Sequence, residues 1–176
     1  MTDHVQSFPA LVDDASRILI LGSMPGRLSL ARVRYYAHPR NAFWPIMASL
    51  LGFADDAPYP LRCRALLAGG VALWDVMASC RRRGSLDADI DEASIIANDI
   101  PALLRGHPAI TAIFFNGAKA EQSFRRHVAA ALDARGAALP RLRLPSTSPA
   151  HAGMSTAAKC RIWHASLSAA LASAGR

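Results

Sequence analysis

The sequence predicts an α/β protein built on a mainly parallel, four-stranded sheet with helices on both faces. Four short apolar runs, at 17–22, 71–76, 109–117 and 141–149, recur along the chain and have strand length. Longer segments of helical character separate them, the alternation that produces parallel strands joined by crossover helices. Each run also passes directly into small or polar residues, as strand-to-helix turns do: GSMPG (22–26), Asp75, Asn-Gly (116–117) and PSTSP (145–149).

The elements follow in order. RILILG (17–22) is apolar on both alternating faces and predicts a doubly buried strand. NAFWPIMASLLG (41–52) predicts a helix, and PLRCRALLAGG (60–70) a second one stopped by its glycines. VALWDV (71–76) is the next strand, followed by a polar segment over 77–94 with no assigned element. SIIANDIPALLRGH (94–107) carries helix signal, interrupted or restarted at Pro101. AITAIFFNG (109–117) is the third strand, and AKAEQSFRRHVAAALDARG (118–136) an amphipathic helix closed by Gly136. RLRLPSTSP (141–149) is the fourth strand, and 155–175 the final helix. With 176 residues and no internal repeat or low-complexity linker, one domain spanning 1–176 is expected.

Charge and composition narrow the function. Twenty Lys+Arg against thirteen Asp+Glu give +7; Lys119 and Lys159 are the two lysines, so eighteen are Arg, the side chain best suited to bidentate phosphate contacts. A polyanionic partner fits, although Ala and Arg enrichment also follows from the nucleotide composition of a genome. Three cysteines without a C-x-x-C pair build neither a disulfide framework nor a four-thiolate zinc or iron–sulfur site, which suits a reducing cytoplasm. The acidic N-terminus resembles no export signal, and no apolar run approaches the roughly 18 residues that span a bilayer, so a soluble protein without a membrane partner is expected.

Common cofactor and hydrolase signatures are missing. GSMPG has neither G-x-G-x-x-G spacing nor a Walker Lys-Ser/Thr, and no G-x-S-x-G elbow occurs. Cys160 and His164 stand i, i+4, but no second pair has ligand spacing, so no metal site is expected. In open α/β sheets ligands bind beyond the carboxyl ends of the strands, where the four polar clusters converge. One further stretch, YYAHPRNAFWP (35–45), concentrates four aromatic rings, an Arg, a His and an Asn.

Taken in order, GSMPG, YYAHPRNAFWP, LWDV with the following SC and GSLD, NDIPALL, FFNGAKA and LPSTSPAHAG resemble the hypoxanthine-DNA glycosylase (DNA-deoxyinosine glycosylase) branch of the uracil-DNA glycosylase superfamily. The resemblance runs from about residue 15 to 170. It implies a three-layer α/β/α sandwich on a four-stranded parallel sheet, and monofunctional removal of a damaged base from DNA with no metal or organic cofactor. Such chemistry needs stabilisation of positive charge on the sugar and negative charge on the base, a placed water, and a pocket for a flipped base.

The resemblance assigns roles residue by residue. Several branches of the superfamily carry Asn, Asp or Glu immediately before the Pro of the first loop; Met24 stands there and cannot polarise water. Similarity to the hypoxanthine branch moves water positioning to Asn41, whose other reading is an N-cap on the following helix. Gly22, Ser23, Tyr36, Phe43 and Asn116 are expected at the base: Phe43 stacking, Tyr36 lining the pocket, and Asn116 reading the base edge or forming an Asn-Gly turn.

PSTSPAHAG resembles the loop that grips phosphates and fills the gap left by the flipped nucleotide. Ser146 and Ser148 would donate to phosphates, and His151 would meet the leaving base or a phosphate. Ala150, His151 and Met154 are all candidates for the wedge. Arg40 and the arginines at 81–83 are phosphate candidates whose alternative is a solvated face. Asp75 and Ser85 fall in family-like segments without an assigned role. The expectation is a monomeric, cofactor-free DNA glycosylase acting on hypoxanthine or uracil in duplex or single-stranded DNA. The alternatives are a uracil-preferring enzyme on the same scaffold and a non-catalytic nucleic-acid binder.

Overall fold

The computed structural model describes residues 3–173. In chain order the elements are β1 (Asp3–Gln6), β2 (Ile18–Gly22), α1 (Arg27–Arg32), α2 (Phe43–Leu51), α3 (Tyr59–Ala68), β3 (Val71–Asp75), β4 (Met77–Arg82), β5 (Ile90–Ala97), α4 (Ile100–Gly106), β6 (Ala112–Asn116), α5 (Ala118–His127), α6 (Ala134–Ala138), β7 (Arg141–Leu144) and α7 (Thr156–Ser173).

The four strands expected from the apolar runs form one parallel sheet in the order β3-β2-β6-β7. Its side chains alternate between two cores because successive residues of a strand face opposite ways. Ile18, Ile20, Val71, Leu73, Ala112 and Phe114 pack against Phe43, Ile46 and Met47 of α2, Leu66 of α3 and Trp163 and Leu167 of α7. Leu19, Leu21, Ala72, Ile113 and Phe115 pack on the other face, against Ile100 and Leu104 of α4 and Ala120 and Phe124 of α5. The result is the three-layer α/β/α sandwich.

The polar segment 77–94, to which the sequence assigns no element, carries strands. β4 and β5 pair antiparallel within it, and β1 adds to β4, making a second sheet in the order β1-β4-β5. The chain enters this sheet straight from β3: the Val76 and Met77 amides donate to the carbonyls of Gly22 and Ser23 (2.8 and 3.1 Å). The small sheet therefore grows from the carboxyl end of the parallel one and supports the GSMPG loop. Arg82 is buried beneath that loop, where Nη2 donates to the Pro25 carbonyl at 2.7 Å.

Two helix boundaries also differ, and one short helix is added. Helix signal over 94–107 is confined to α4, because 94–97 belong to β5; Asp99 caps α4 by accepting from the Ala102 amide at 2.9 Å. The helix expected over 118–136 stops at His127, since Val128 leaves helical geometry with φ −121°, and Gly136 lies inside α6 instead of ending a helix. The GSMPG loop is followed by α1, which is too short for a periodicity argument.

Candidate active site

Gly22, at the end of β2, is the point of closest approach at the carboxyl end of the sheet. A Cβ there would stand 2.5 Å from Asp75 Oδ1 and 3.1 Å from the Tyr36 hydroxyl, so only glycine lets the two polar groups converge. Asp75, at the end of β3, is 3% exposed, and its Oδ2 accepts from Ser7 Oγ at 2.9 Å. Burial pushes its carboxyl up to about 7; the Ser7 hydroxyl and Arg82 oppose the rise, and Asp87 adds to it. The Tyr36 hydroxyl is buried without a hydrogen-bond partner among the described residues, and burial raises its pKa.

Tyr36 also holds a left-handed backbone, φ 52°, unusual for an aromatic residue. Such conformations persist where the surroundings over-determine them. Its ring stacks on Phe43 at 4.1 Å, and Phe43 meets Trp163 edge-on at 6.1 Å. Phe43 is wholly buried, as are Tyr35 and Trp44 nearly so, whereas Tyr36 is half-buried. Phe43 thus lies behind Tyr36, which leaves Tyr36 the more accessible of the two rings.

Asn116 and the PSTSP loop are joined through Thr147. Asn116 Nδ2 donates to Thr147 Oγ1 and the Thr147 amide donates to Asn116 Oδ1, both at 2.9 Å, while the Ala42 amide donates to the Thr147 carbonyl at 3.0 Å. Thr147, 1% exposed, thus ties β6, the PSTSP loop and the entry to α2. Gly117 permits the approach, with φ 94° and a would-be Cβ 3.0 Å from that of Ser146. Asn116 keeps one amide hydrogen and one lone pair free and stands beside the Tyr36 hydroxyl. It ends a strand and bridges two loops, so it is more than a local Asn-Gly turn.

Asn41 precedes α2, and its Oδ1 accepts from the Phe43 amide at 3.0 Å. The N-cap of α2 is Ala42, without a side-chain cap bond, so Asn41 stands one residue before the cap and makes an Asx-turn bond to the second residue on. The carboxamide retains an acceptor lone pair and both amide hydrogens. Ser146 Oγ accepts from the Ser148 amide and Ser148 Oγ from the Ala150 amide, both at 3.2 Å, which leaves each hydroxyl hydrogen free to donate outward. Arg40 and His151 are exposed.

Other candidates sit elsewhere. Met24, the residue before the Pro of the first loop, belongs to an apolar cluster with Met77, Cys80 and Ile90 and so faces the small sheet. Ser23 donates to Asp87 Oδ1 at 2.7 Å, and the Arg27 amide donates to Ser85 Oγ at 3.3 Å, so the segment around Ser85 and Asp87 braces the GSMPG loop. Of the arginines at 81–83, Arg82 is buried as a loop support and Arg81 pairs with Asp91 at 3.6 Å. Among the described residues no three His, Cys, Asp or Glu side chains gather to hold a metal. An apolar groove of about 500 Å³ opens at the opposite end of the sheet, between Thr111–Phe114, Pro140–Leu142 and the end of α7, and brings none of these groups together.

Two outcomes test this geometry. Between about pH 4 and 7 the folded chain holds a proton on Asp75 that the unfolded chain has released, so its stabilising contribution is full below that window and lost as pH rises through it. Urea unfolding of Asp75→Asn should show a stability gain over the parent that grows across the window, to at most about 4 kcal/mol, and is flat above it; a pH-independent difference contradicts the buried carboxyl. Thr147→Val removes the acceptor for Asn116 and should cost about 1–2 kcal/mol in the same measurement.

Comparison with known proteins bears on the family and the fold. The sequence pattern described as "Uracil DNA glycosylase superfamily" matches residues 9–166. Proteins named hypoxanthine DNA glycosylase from Methanosarcina barkeri (strain Fusaro) and Methanosarcina acetivorans are each 36% identical, over 115 and 116 residues, covering 65% of this chain and 72% of the relative. A solution NMR structure from Methanosarcina acetivorans, which carries the provisional name uracil DNA glycosylase, superposes with TM-score 0.74 at 30% identity, covering 93% of this chain and 98% of the other. The family pattern spans nearly the whole sandwich and its loops, and the chain belongs to the uracil DNA glycosylase superfamily.

Proposed function

We propose that the protein hydrolyses the N-glycosidic bond of a deaminated base in DNA, hypoxanthine first and uracil as the alternative, and leaves an abasic site. The observation that carries this reading is the convergence at one end of the sheet. Gly22, Tyr36, Asp75 and Asn116 line the place for a base edge, and Asn41, Arg40, Ser146 and Ser148 lie on the two segments joined through Thr147. The names of the curated relatives favour hypoxanthine over uracil.

Tyr36 supplies a ring and a hydroxyl with no internal partner; a flipped base satisfies both, by stacking and by an edge hydrogen bond. A carboxyl that titrates near neutrality, as Asp75 does, can donate in its protonated form or accept in its ionised form at a lactam edge. Asn41 orients water with its free acceptor pair. As a neutral amide it is a weak base, so it acts by positioning while the developing oxocarbenium character draws the water in. In this reading Ser23 and the GSMPG backbone complete the base pocket, and the exposed His151 meets the leaving base or a phosphate.

A monofunctional mechanism is supported by the state of both lysines. Lys119 is engaged with Glu92 and Lys159 is buried against backbone carbonyls, so neither offers a free amine for a Schiff base. No cofactor enters these steps. We place the enzyme in the cytoplasm as a monomer, a setting that suits its three free cysteines.

The test is incubation with duplex and single-stranded oligonucleotides carrying deoxyinosine, deoxyuridine or deoxyxanthosine, followed by alkaline cleavage at abasic sites. Cleavage at deoxyinosine is expected. Salt-sensitive binding without cleavage of any substrate identifies a non-catalytic binder and refutes the proposal. Asn41→Ala should lose at least about tenfold in single-turnover rate while keeping DNA affinity; an unchanged rate confines Asn41 to starting α2.

A further inference from the structure

Lys159, in the first turn of α7, is 4% exposed and pairs with no carboxylate among the described residues. Its Nζ donates to two carbonyls of the PSTSPAHAG loop, His151 at 2.8 Å and Ser148 at 3.4 Å. Burial alone lowers its pKa, with no neighbouring charge contributing. A buried ammonium without a counter-charge is costly, and a helix's amino-terminal turn, where the macrodipole is positive, is the least favourable place for one. The chain has only one other lysine, and elsewhere uses Arg.

The loop above it explains the arrangement. Lys159 draws the Ser148 and His151 carbonyls inward from below, and Trp163, one turn further along α7, donates to the Pro145 carbonyl at 2.9 Å. With these carbonyls engaged and the Ser148 and Ala150 amides taken by serine oxygens, the hydroxyl hydrogens of Ser146 and Ser148 remain free to donate. We propose that Lys159 is a positioning residue and the buried cation of this loop, holding its carbonyls inward and supplying the positive charge that a DNA phosphate bound by Ser146 and Ser148 neutralises.

The proposal rests on the reading of the loop as a phosphate grip, and not on base cleavage. Lys159 is itself almost wholly out of water, and a buried charge is screened less than an exposed one, so its field reaches a phosphate on the loop. An amide side chain can replace the clamp on the carbonyls but not the charge. Arg keeps the charge in a larger head.

The experiment measures Kd for an undamaged duplex and for a deoxyinosine duplex over a range of salt, with the full chain and with Lys159→Met, Lys159→Gln and Lys159→Arg, alongside thermal melting of each. Both neutral variants should bind either duplex about tenfold more weakly, with the slope of log affinity against log salt reduced by up to about one, while Arg recovers part of the loss. Their melting temperatures should not fall below the parent's, because an uncompensated charge has been removed. Parental affinity and slope in the neutral variants overturn the proposal. A loss that Gln repairs, or a Met variant that melts early and is repaired by Gln, reduces Lys159 to a structural clamp and also overturns it. Binding to undamaged duplex is read whether or not the protein cleaves deoxyinosine, so failure here and failure of the glycosylase reading are separate results.

Discussion

Thr147 holds the site together by giving three backbone or side-chain groups to two other segments. Its amide and hydroxyl close a two-point bridge with Asn116 at the end of β6, and its carbonyl receives the Ala42 amide at the entry to α2. Asn41, Asn116 and the two serines flanking Thr147 are far apart in sequence, yet each is within a residue or two of this junction. Thr147 is buried, where a hydrogen bond is costly to leave unmade, so the three segments are held to one another. Positioning of that kind is what a neutral water-orienting amide requires, because its contribution comes from geometry rather than basicity.

A second constraint sets the floor of the pocket. β2 and β3 come together at Gly22 so closely that Asp75 Oδ1 occupies the volume of a side chain. The carboxyl is thereby kept dry and near its neutral form, and the Tyr36 hydroxyl is left beside it without a partner. The small antiparallel sheet makes this possible: it takes Met24 into its own apolar cluster and braces the GSMPG loop from behind through Arg82. The first loop is held by the small sheet, and Asp75 of β3, Asn116 of β6 and the segment around Tyr36 converge beside it.

Much of the parallel sheet was legible because doubly buried strands read as continuous apolar runs bounded by turn residues, as RILILG and AITAIFFNG do. The second sheet was not, for physical reasons. β1 has four residues, and β4 pairs with β5 through irregular register near Met77, Ser79 and Arg81, which breaks the alternation that marks a half-buried strand. In the site, residue types were legible and partners were not. Asn41 and Asn116 stood out as amides at element ends, but nothing local shows that Thr147 bridges to one of them. Phe43 and Tyr36 were both visible as rings, and their order of stacking depends on α7 supplying Trp163 from beneath. Lys159 did leave a signal, a lone lysine near the start of an otherwise Ala-rich helix in an arginine-rich chain.

In the proposed reaction the carboxyl end of the parallel sheet receives the flipped nucleotide. This is tested most directly by mapping backbone amide chemical shifts while titrating a duplex with a 2′-fluoro-substituted deoxyinosine, whose electron-withdrawing fluorine resists formation of the sugar cation. The account predicts the largest changes at Gly22, Ser23, Tyr36, Asn41, Asp75, Asn116 and Ser146–His151. Changes centred instead on the groove between Thr111, Leu142 and the end of α7, with these residues unmoved, would contradict it.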